Sequence, residues 1–204
     1  MTSEYMQIIR DHKDQILIEV GAHDHIGRLA YHTSNYVMNL PDPDVKFEFH
    51  NLLVAPGLTP NKGQNPGIAM FEVDNGVAHN LKFEFLDLGK TYGSTSVPSK
   101  LTFYSLDFAS RYGVQNIDAT GLVNWRKALE ADINLTHDYM VRQVGFDPSD
   151  KSEYNAAMAI YADEKLVTSS GDPTCFVCQM HKSITGTEEK ACCASSVYSS
   201  LFLQ

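Results

Sequence analysis

The sequence predicts an α+β protein in which a part rich in β-strands is followed by a mainly helical part. Over residues 1–90, short apolar runs are separated by turn residues, and the clearest run alternates apolar with polar positions at period two. From about residue 118, apolar residues recur at three- and four-residue spacings, which is the period of a helix. Residues 90–100 between these parts are rich in Ser, Thr, Gly and Pro and indicate a linker. We therefore place a domain boundary between residues 1–92 and 93–204.

The first part predicts a short helix and a series of strands. Apolar spacing favours a helix at residues 3–13. Runs rich in β-formers predict strands at residues 15–21, 27–32, 47–55, 68–73 and 79–88. The sequence Asp74-Asn75-Gly76 between the last two runs is typical of a hairpin turn. In the last strand Leu81, Phe83 and Phe85 fall on one face, which we expect to be buried.

The second part predicts three helices and a closing segment. The first helix begins at the capping residue Asp118 and carries Leu122, Trp125 and Leu129 on one stripe, which indicates a core face. Two more helices are predicted at residues 132–144 and 152–163. We expect the remaining segment, which contains every cysteine, to form a helical hairpin.

Composition excludes several classes of protein. Hydrophobic residues make up 43% and charged residues 20% of the 204 residues, as in soluble globular proteins. The net charge of −9 argues against a nucleic-acid-binding surface, which needs basic residues to replace counterions. No apolar run approaches the length of a membrane span, so no transmembrane segment is expected. The first residues also lack the pattern of a signal peptide.

The sequence His23-Asp24-His25 is a candidate metal-binding motif. It follows a β-rich run that stops at Gly21. Residues at positions i and i+2 of an extended segment share one face, so the two imidazoles can approach one site. Neutral imidazole is a good ligand for zinc. The alternative is a pair of loop histidines that bind nothing. His32 and His50 are the next candidates.

The four cysteines and one glycosylation motif point to an extracytoplasmic protein. Zinc, redox chemistry and disulfides are the alternatives for Cys175, Cys178, Cys192 and Cys193. Adjacent Cys192 and Cys193 make a poor zinc knuckle, and no βαβ unit precedes the Cys175-x-x-Cys178 motif. Two disulfides that pair the first two cysteines with the last two are therefore favoured. Asn134-Leu135-Thr136 matches the acceptor motif for N-glycosylation.

Three stretches together resemble the acid sphingomyelinase-like branch of the calcineurin-like metallophosphoesterases. Gly21-Ala22-His23-Asp24-His25 is similar to the last histidine motif of that superfamily. Residues 51–56, which end in Ala55-Pro56, and Asn65-Pro66-Gly67 resemble that branch's next motifs. Two departures are Ala22, which stands between the glycine and the first histidine, and Gly57, where the family has serine.

The resemblance implies a fold, a cofactor and an incomplete site. Residues 1–92 would be the C-terminal portion of a metallophosphoesterase sheet or sandwich domain, and residues 93–204 a small helical C-terminal domain. His23 and His25 would each supply a ligand to one of two divalent metal ions, with zinc preferred. The other family motifs, which carry the bridging carboxylate and the catalytic acid, are absent. We therefore expect no catalytic residue in this chain and no activity from it alone.

Two hypotheses of different kinds follow. In the first, the chain is part of a phosphodiesterase that is completed by a missing N-terminal part or by a companion chain. In the second, it is a non-catalytic structural or interaction module derived from such an enzyme. The resemblance implies an extracellular or lysosome-like location and a phosphodiester substrate. It leaves open whether that substrate is sphingomyelin-like or nucleotide-like.

Overall fold

The computed structural model of the chain describes residues 4, 8, 11–12, 14–22, 25–33, 49–93, 100–163 and 181–183. Within them lie five helices and two small sheets, one of four strands and one of three. The predicted α+β class is therefore confirmed. The helix predicted at residues 3–13 falls largely outside these residues, although the His12 N–H donates to the Ile8 carbonyl as in a helix (3.1 Å).

The first sheet contains β1 (Glu19–Gly21), β2 (Arg28–Thr33), β3 (Phe49–Val54) and β7 (His181–Ser183). Its strands lie side by side in the order β1-β3-β2-β7, and their directions are mixed. β1 runs parallel to β3, β2 runs antiparallel to β3, and β7 runs parallel to β2. The first three strands lie where the sequence predicted strands. The helical prediction for the C-terminal segment is wrong at β7, because those three residues pair with an exposed sheet edge.

The second sheet is an antiparallel meander of β4 (Gly67–Asp74), β5 (Val77–Leu86) and β6 (Phe103–Asp107). Asn75 and Gly76 join β4 to β5 with φ angles of 49° and 75°, which confirms the predicted hairpin turn. The predicted alternation in β5 is also confirmed, because Leu81, Phe83 and Phe85 are fully buried. The sequence did not predict β6, which is too short for its alternation to be distinguished from a loop.

Five helices are described: α1 (Leu88–Tyr92), α2 (Phe108–Tyr112), α3 (Ala119–Ala131), α4 (Ile133–Gln143) and α5 (Lys151–Asp163). The three longer ones match the predicted helices. The Asp118 carboxylate accepts a hydrogen bond from the Gly121 N–H (2.7 Å) and so begins α3, as the sequence predicted. The short helix α1 occupies the start of the predicted linker.

One hydrophobic core joins both sheets to the longer helices. It contains Leu29 and Leu53 from the first sheet, Phe83 from the second, and Trp125 and Tyr139 from α3 and α4. The Trp125 and Tyr139 rings meet edge to face with centroids 4.9 Å apart. The Leu29 N–H also donates to the Tyr139 hydroxyl (3.4 Å). The helices thus pack directly on the sheets, and the domain boundary after residue 92 stays a prediction.

Candidate functional site

His25 lies between β1 and β2 with a strained backbone. Its φ angle is 62°, in the left-handed region that residues other than glycine seldom adopt. Among the described residues, only Asn75 and Asn80 also combine a side chain with positive φ. Such strain costs about 1–3 kcal/mol and tends to occur at functional sites. His23 and Asp24 lie outside the described residues, so the predicted convergence of His23 with His25 stays a prediction.

Gly57 provides the space that the His25 ring occupies. The Gly57 N–H donates to the His25 carbonyl (2.9 Å), and the Gly57 carbonyl accepts from the Gly67 N–H (3.0 Å). A Cβ atom at Gly57 would stand only 2.6 Å from His25 Nδ1. The enzymes that the sequence resembles have serine at this position, and the contact with His25 leaves no room for a side chain here. Any side chain at position 57 would push the His25 imidazole out of its present place.

Thr59 contacts one of the two nitrogen atoms of the His25 ring. Nδ1 lies 3.0 Å from the Thr59 hydroxyl and 3.2 Å from the Thr59 carbonyl oxygen. Among the described residues, the hydrogen bonds of this imidazole are made through Nδ1. Within this part of the structure Nε2 makes no hydrogen bond, so it is the nitrogen that a metal ion would use if His25 were a ligand. In metal sites, a ligating histidine commonly donates a hydrogen bond from one ring nitrogen to a carbonyl oxygen and binds the metal ion through the other nitrogen.

Gln64 fixes the loop that carries Thr59. Its side chain is 1% exposed. Its Nε2 donates to the Thr59 carbonyl (2.9 Å), and its Oε1 accepts from the Lys62 N–H (3.0 Å). Both ends of the buried amide are thus satisfied inside a single turn of the chain. The sequence analysis missed this residue, because a lone glutamine in a polar loop is normally in contact with solvent.

Asn65 joins the same loop to the helical part. Its backbone N–H donates to the Val144 carbonyl (3.0 Å), and its Nδ2 donates to the Gly145 carbonyl (2.8 Å). Its Oδ1 accepts from the Leu88 N–H at the beginning of α1 (3.1 Å). The Asn65-Pro66-Gly67 motif therefore has a structural role in this chain: it fastens the His25 loop to the end of α4.

The other predicted site residues fall into three groups. His32 and His50 are directly opposite each other in the β2–β3 pairing. The predicted disulfides lie outside the described residues, so Cys175, Cys178, Cys192 and Cys193 stay predictions. Asn134, the predicted glycosylation site, is exposed in the first turn of α4.

A pocket of about 500 Å³ lies in the helical part, away from the histidine motif in sequence. Its lining residues are Arg111, Asp132, Asn134, Leu135, His137, Asp138, Pro148 and Tyr154. Asp138 in its wall accepts hydrogen bonds from Arg111 Nε (3.0 Å), Arg142 Nε (2.9 Å) and the Tyr112 hydroxyl (3.0 Å). Burial alone would raise the pKa of Asp138, but these donors outweigh it and lower the pKa. The cluster joins α2 to α4.

Comparison with known proteins identifies no relative. No protein-family model matches the chain, and no curated protein matches it. Within the described ranges, no three side chains of His, Cys, Asp or Glu are grouped so that they could hold a metal ion. No described helix is long and apolar enough to span a membrane.

Proposed function

We propose that this chain is part of a metal-dependent phosphodiesterase similar to the acid sphingomyelinase-like enzymes, to which it contributes His23 and His25 as metal ligands. The observation that carries the proposal is the constraint on His25. Its backbone is strained, Gly57 makes room for its ring, and Thr59 engages Nδ1. A surface histidine with no function would not require a strained backbone or a glycine that makes room for its ring.

The donor set fits zinc as far as this chain supplies it. Zinc prefers imidazole nitrogen among its ligands, and an outer hydrogen bond to the far nitrogen sets the tautomer and the ring orientation. Two divalent ions bound in such a site would polarise the phosphate and lower the pKa of a bound water. The part of this chain is to contribute His25 Nε2, while Thr59 engages the other ring nitrogen, together with His23.

The site needs more ligands than this chain offers. Zinc takes about four ligands, and a two-metal centre also requires a bridging group. The bridging carboxylate and the catalytic acid must then come from other sequence in the same protein or from a companion chain. The outer edge of β1 is where we place that completing part. β1 stands at one end of the described sheet, and Val20 within it is 59% exposed.

The proposal is tested with the recombinant chain and with native material. We expect residues 1–204 alone, supplied with Zn²⁺, to show no hydrolysis of bis(p-nitrophenyl) phosphate at acidic or neutral pH. Native protein captured with an antibody against this chain should hydrolyse it, lose the activity to a chelator and regain it with Zn²⁺. Capture with a non-immune antibody is the control. Robust turnover by the recombinant chain that His23→Ala abolishes would contradict the incompleteness of the site.

The alternative is a non-catalytic structural or interaction module derived from such an enzyme. In this case the exposed Val20 in β1, at one end of the described sheet, would contact a binding partner and not the rest of an active site. Native protein that stays inactive with Zn²⁺, although the same capture retains the whole folded chain, would favour this alternative over the enzyme.

The proposed location is extracellular or lysosome-like, with two disulfides and a glycan on Asn134. The supporting features are the even number of clustered cysteines and the exposure of Asn134. The mass of the native protein, measured before and after alkylation and after glycosidase treatment, checks both modifications. Four alkylated thiols in the secreted protein would contradict the disulfides.

A further inference from the structure

We propose that Gln64 is a positioning residue that selects the tautomer of His25, acting through the Thr59 carbonyl. This inference rests on the proposed function for the metal, but its geometric basis is independent of it. The Thr59 carbonyl oxygen lies 2.9 Å from Gln64 Nε2 and 3.2 Å from His25 Nδ1. A carbonyl oxygen has two lone pairs, and these two donors use both of them.

Thr59 offers His25 two partners: the carbonyl, which favours one tautomer, and the hydroxyl, which is compatible with either. The Thr59 carbonyl can only accept, so it requires a proton on Nδ1 and leaves Nε2 with a lone pair. The Thr59 hydroxyl, 3.0 Å from Nδ1, can also donate, which would leave Nδ1 bare and place the proton on Nε2. Only the first tautomer has an Nε2 that can bind a metal ion. The direction of the carbonyl therefore sets how strongly the tautomer with an available Nε2 is favoured.

Gln64 holds that carbonyl towards His25. The Gln64 side chain is 1% exposed, and the Lys62 N–H fixes its Oε1 (3.0 Å), so Nε2 has one direction in which to donate. The next residue, Asn65, donates a hydrogen bond to the Gly145 carbonyl at the end of α4, which holds the backbone next to Gln64 in place. Without the amide, the exposed Thr59 peptide can turn its carbonyl to water, and the hydroxyl then becomes the remaining partner of Nδ1.

The test measures the tautomer of metal-free His25 by long-range ¹H–¹⁵N NMR at about pH 8, where an ordinary histidine is neutral. The unaltered chain should carry the proton mainly on Nδ1. Gln64→Met removes the amide but keeps the volume, and it should produce comparable populations of the two tautomers. Thr59→Val is the matched control: it removes the competing hydroxyl, keeps the carbonyl and should leave Nδ1 protonated.

A second arm adds Zn²⁺ to the same samples and follows the His25 resonances. Gln64→Met should weaken the Zn²⁺ response about tenfold, as is typical when an outer partner of a metal ligand is lost. If Zn²⁺ leaves His25 unchanged in every sample while the tautomer shift occurs, the positioning role stands and the assignment of His25 as a metal ligand loses support. A folded Gln64→Met chain that keeps the proton on Nδ1 overturns the inference. If Gln64→Met does not fold, Gln64→Leu, which also lacks the amide donor, gives the same decision.

Discussion

The His25 loop and the Asp138 cluster are both polar networks, but they are made of different groups. The loop from Gly57 to Asn65 is held by amides and backbone carbonyls, and the hydrogen bonds by which Asn65 joins it to Val144 and Gly145 are made between neutral groups. The cluster brings Arg111, Arg142 and Tyr112 onto one carboxylate. Neutral hydrogen bonds fix geometry at any pH, whereas an ion cluster depends on the protonation of its acid. A ligand that must keep one orientation is better placed on the neutral network.

The Asp138 cluster has a structural role, because it connects neighbouring elements of the fold. The Asp138 side chain is 12% exposed and that of Arg142 is 19% exposed, so both charges lose much of their hydration and require each other. Arg142 also donates to the Tyr104 hydroxyl, and burial raises the pKa of Tyr104 to about 12. These groups are fully paired among themselves, which suits a role in holding α2, α4 and β6 together.

The largest effect is expected when a charge is placed in the neutral network by Asn65→Asp. Asn65 is 5% exposed, and its Nδ2 donates to the Gly145 carbonyl. A carboxylate there would face that carbonyl without a donor, at a cost of about 3–5 kcal/mol in the free energy of unfolding at pH 7. Chemical denaturation at pH 7 measures the loss.

The pH dependence of that variant should have a distinctive sign. Burial and the facing carbonyl raise the pKa of the new acid above about 3.9, its value in an unfolded chain. The lost stability should therefore return as the pH falls from 7 towards 4, because the protonated acid can again donate to Gly145. Asn124→Asp, on the exposed surface of α3, is the control and should change stability by less than about 0.5 kcal/mol. A loss at Asn65→Asp that does not vary with pH would contradict the proposed geometry.

The next effect is steric and concerns Gly145, at the end of α4. Its φ angle is +80°, and a Cβ there would lie 2.7 Å from the buried Phe85 ring. Gly145→Ala should cost about 2–4 kcal/mol, from the strained backbone and the overpacked core together. Gly113→Ala separates the two causes, since its φ of +70° is similar and no atom lies within 4 Å. That control should cost only about 1 kcal/mol in thermal unfolding. Equal losses in both variants would contradict the close packing at Phe85.

Sequence patterns predicted the strands up to β5 and the three longer helices, because these depend on local periodicity, but they missed the short elements α1, α2, β6 and β7. The alternation at Leu81 and Phe83 gave β5 its buried face, and Asp118 marked the beginning of α3. The support of His25 could not be predicted in the same way. Gln64 and Gly57 act through contacts that only the folded loop creates, and nothing in a single sequence distinguishes a buried glutamine from an exposed one. Gly57 alone left a signal, as a glycine where the enzymes that the sequence resembles have serine.

The smallest of the three effects removes charge from the Asp138 cluster. Asp138→Asn should cost about 2 kcal/mol at pH 7, less than a fully buried pair because the partner Arg111 is 48% exposed. The pKa of Asp138 is lowered from its ordinary value of 3.8, so its stabilisation is complete above that value and is lost as the pH falls below it. The difference between the unaltered chain and the variant should therefore shrink below pH 4 in denaturation curves.

The control for this variant is Asp132→Asn, which removes one negative charge from the start of the same helix. Asparagine caps a helix about as well as aspartate, so this change should cost less than about 0.5 kcal/mol. Some acid sensitivity should remain in Asp138→Asn, since hydrogen bonds from backbone N–H groups also lower the pKa of Asp107 and Asp147.

Added salt should reduce the effect of Asp138→Asn but leave that of Gly145→Ala unchanged, because screening weakens ion pairs and not steric contact. Equal salt dependence in the two variants would contradict the ionic origin of the loss at Asp138.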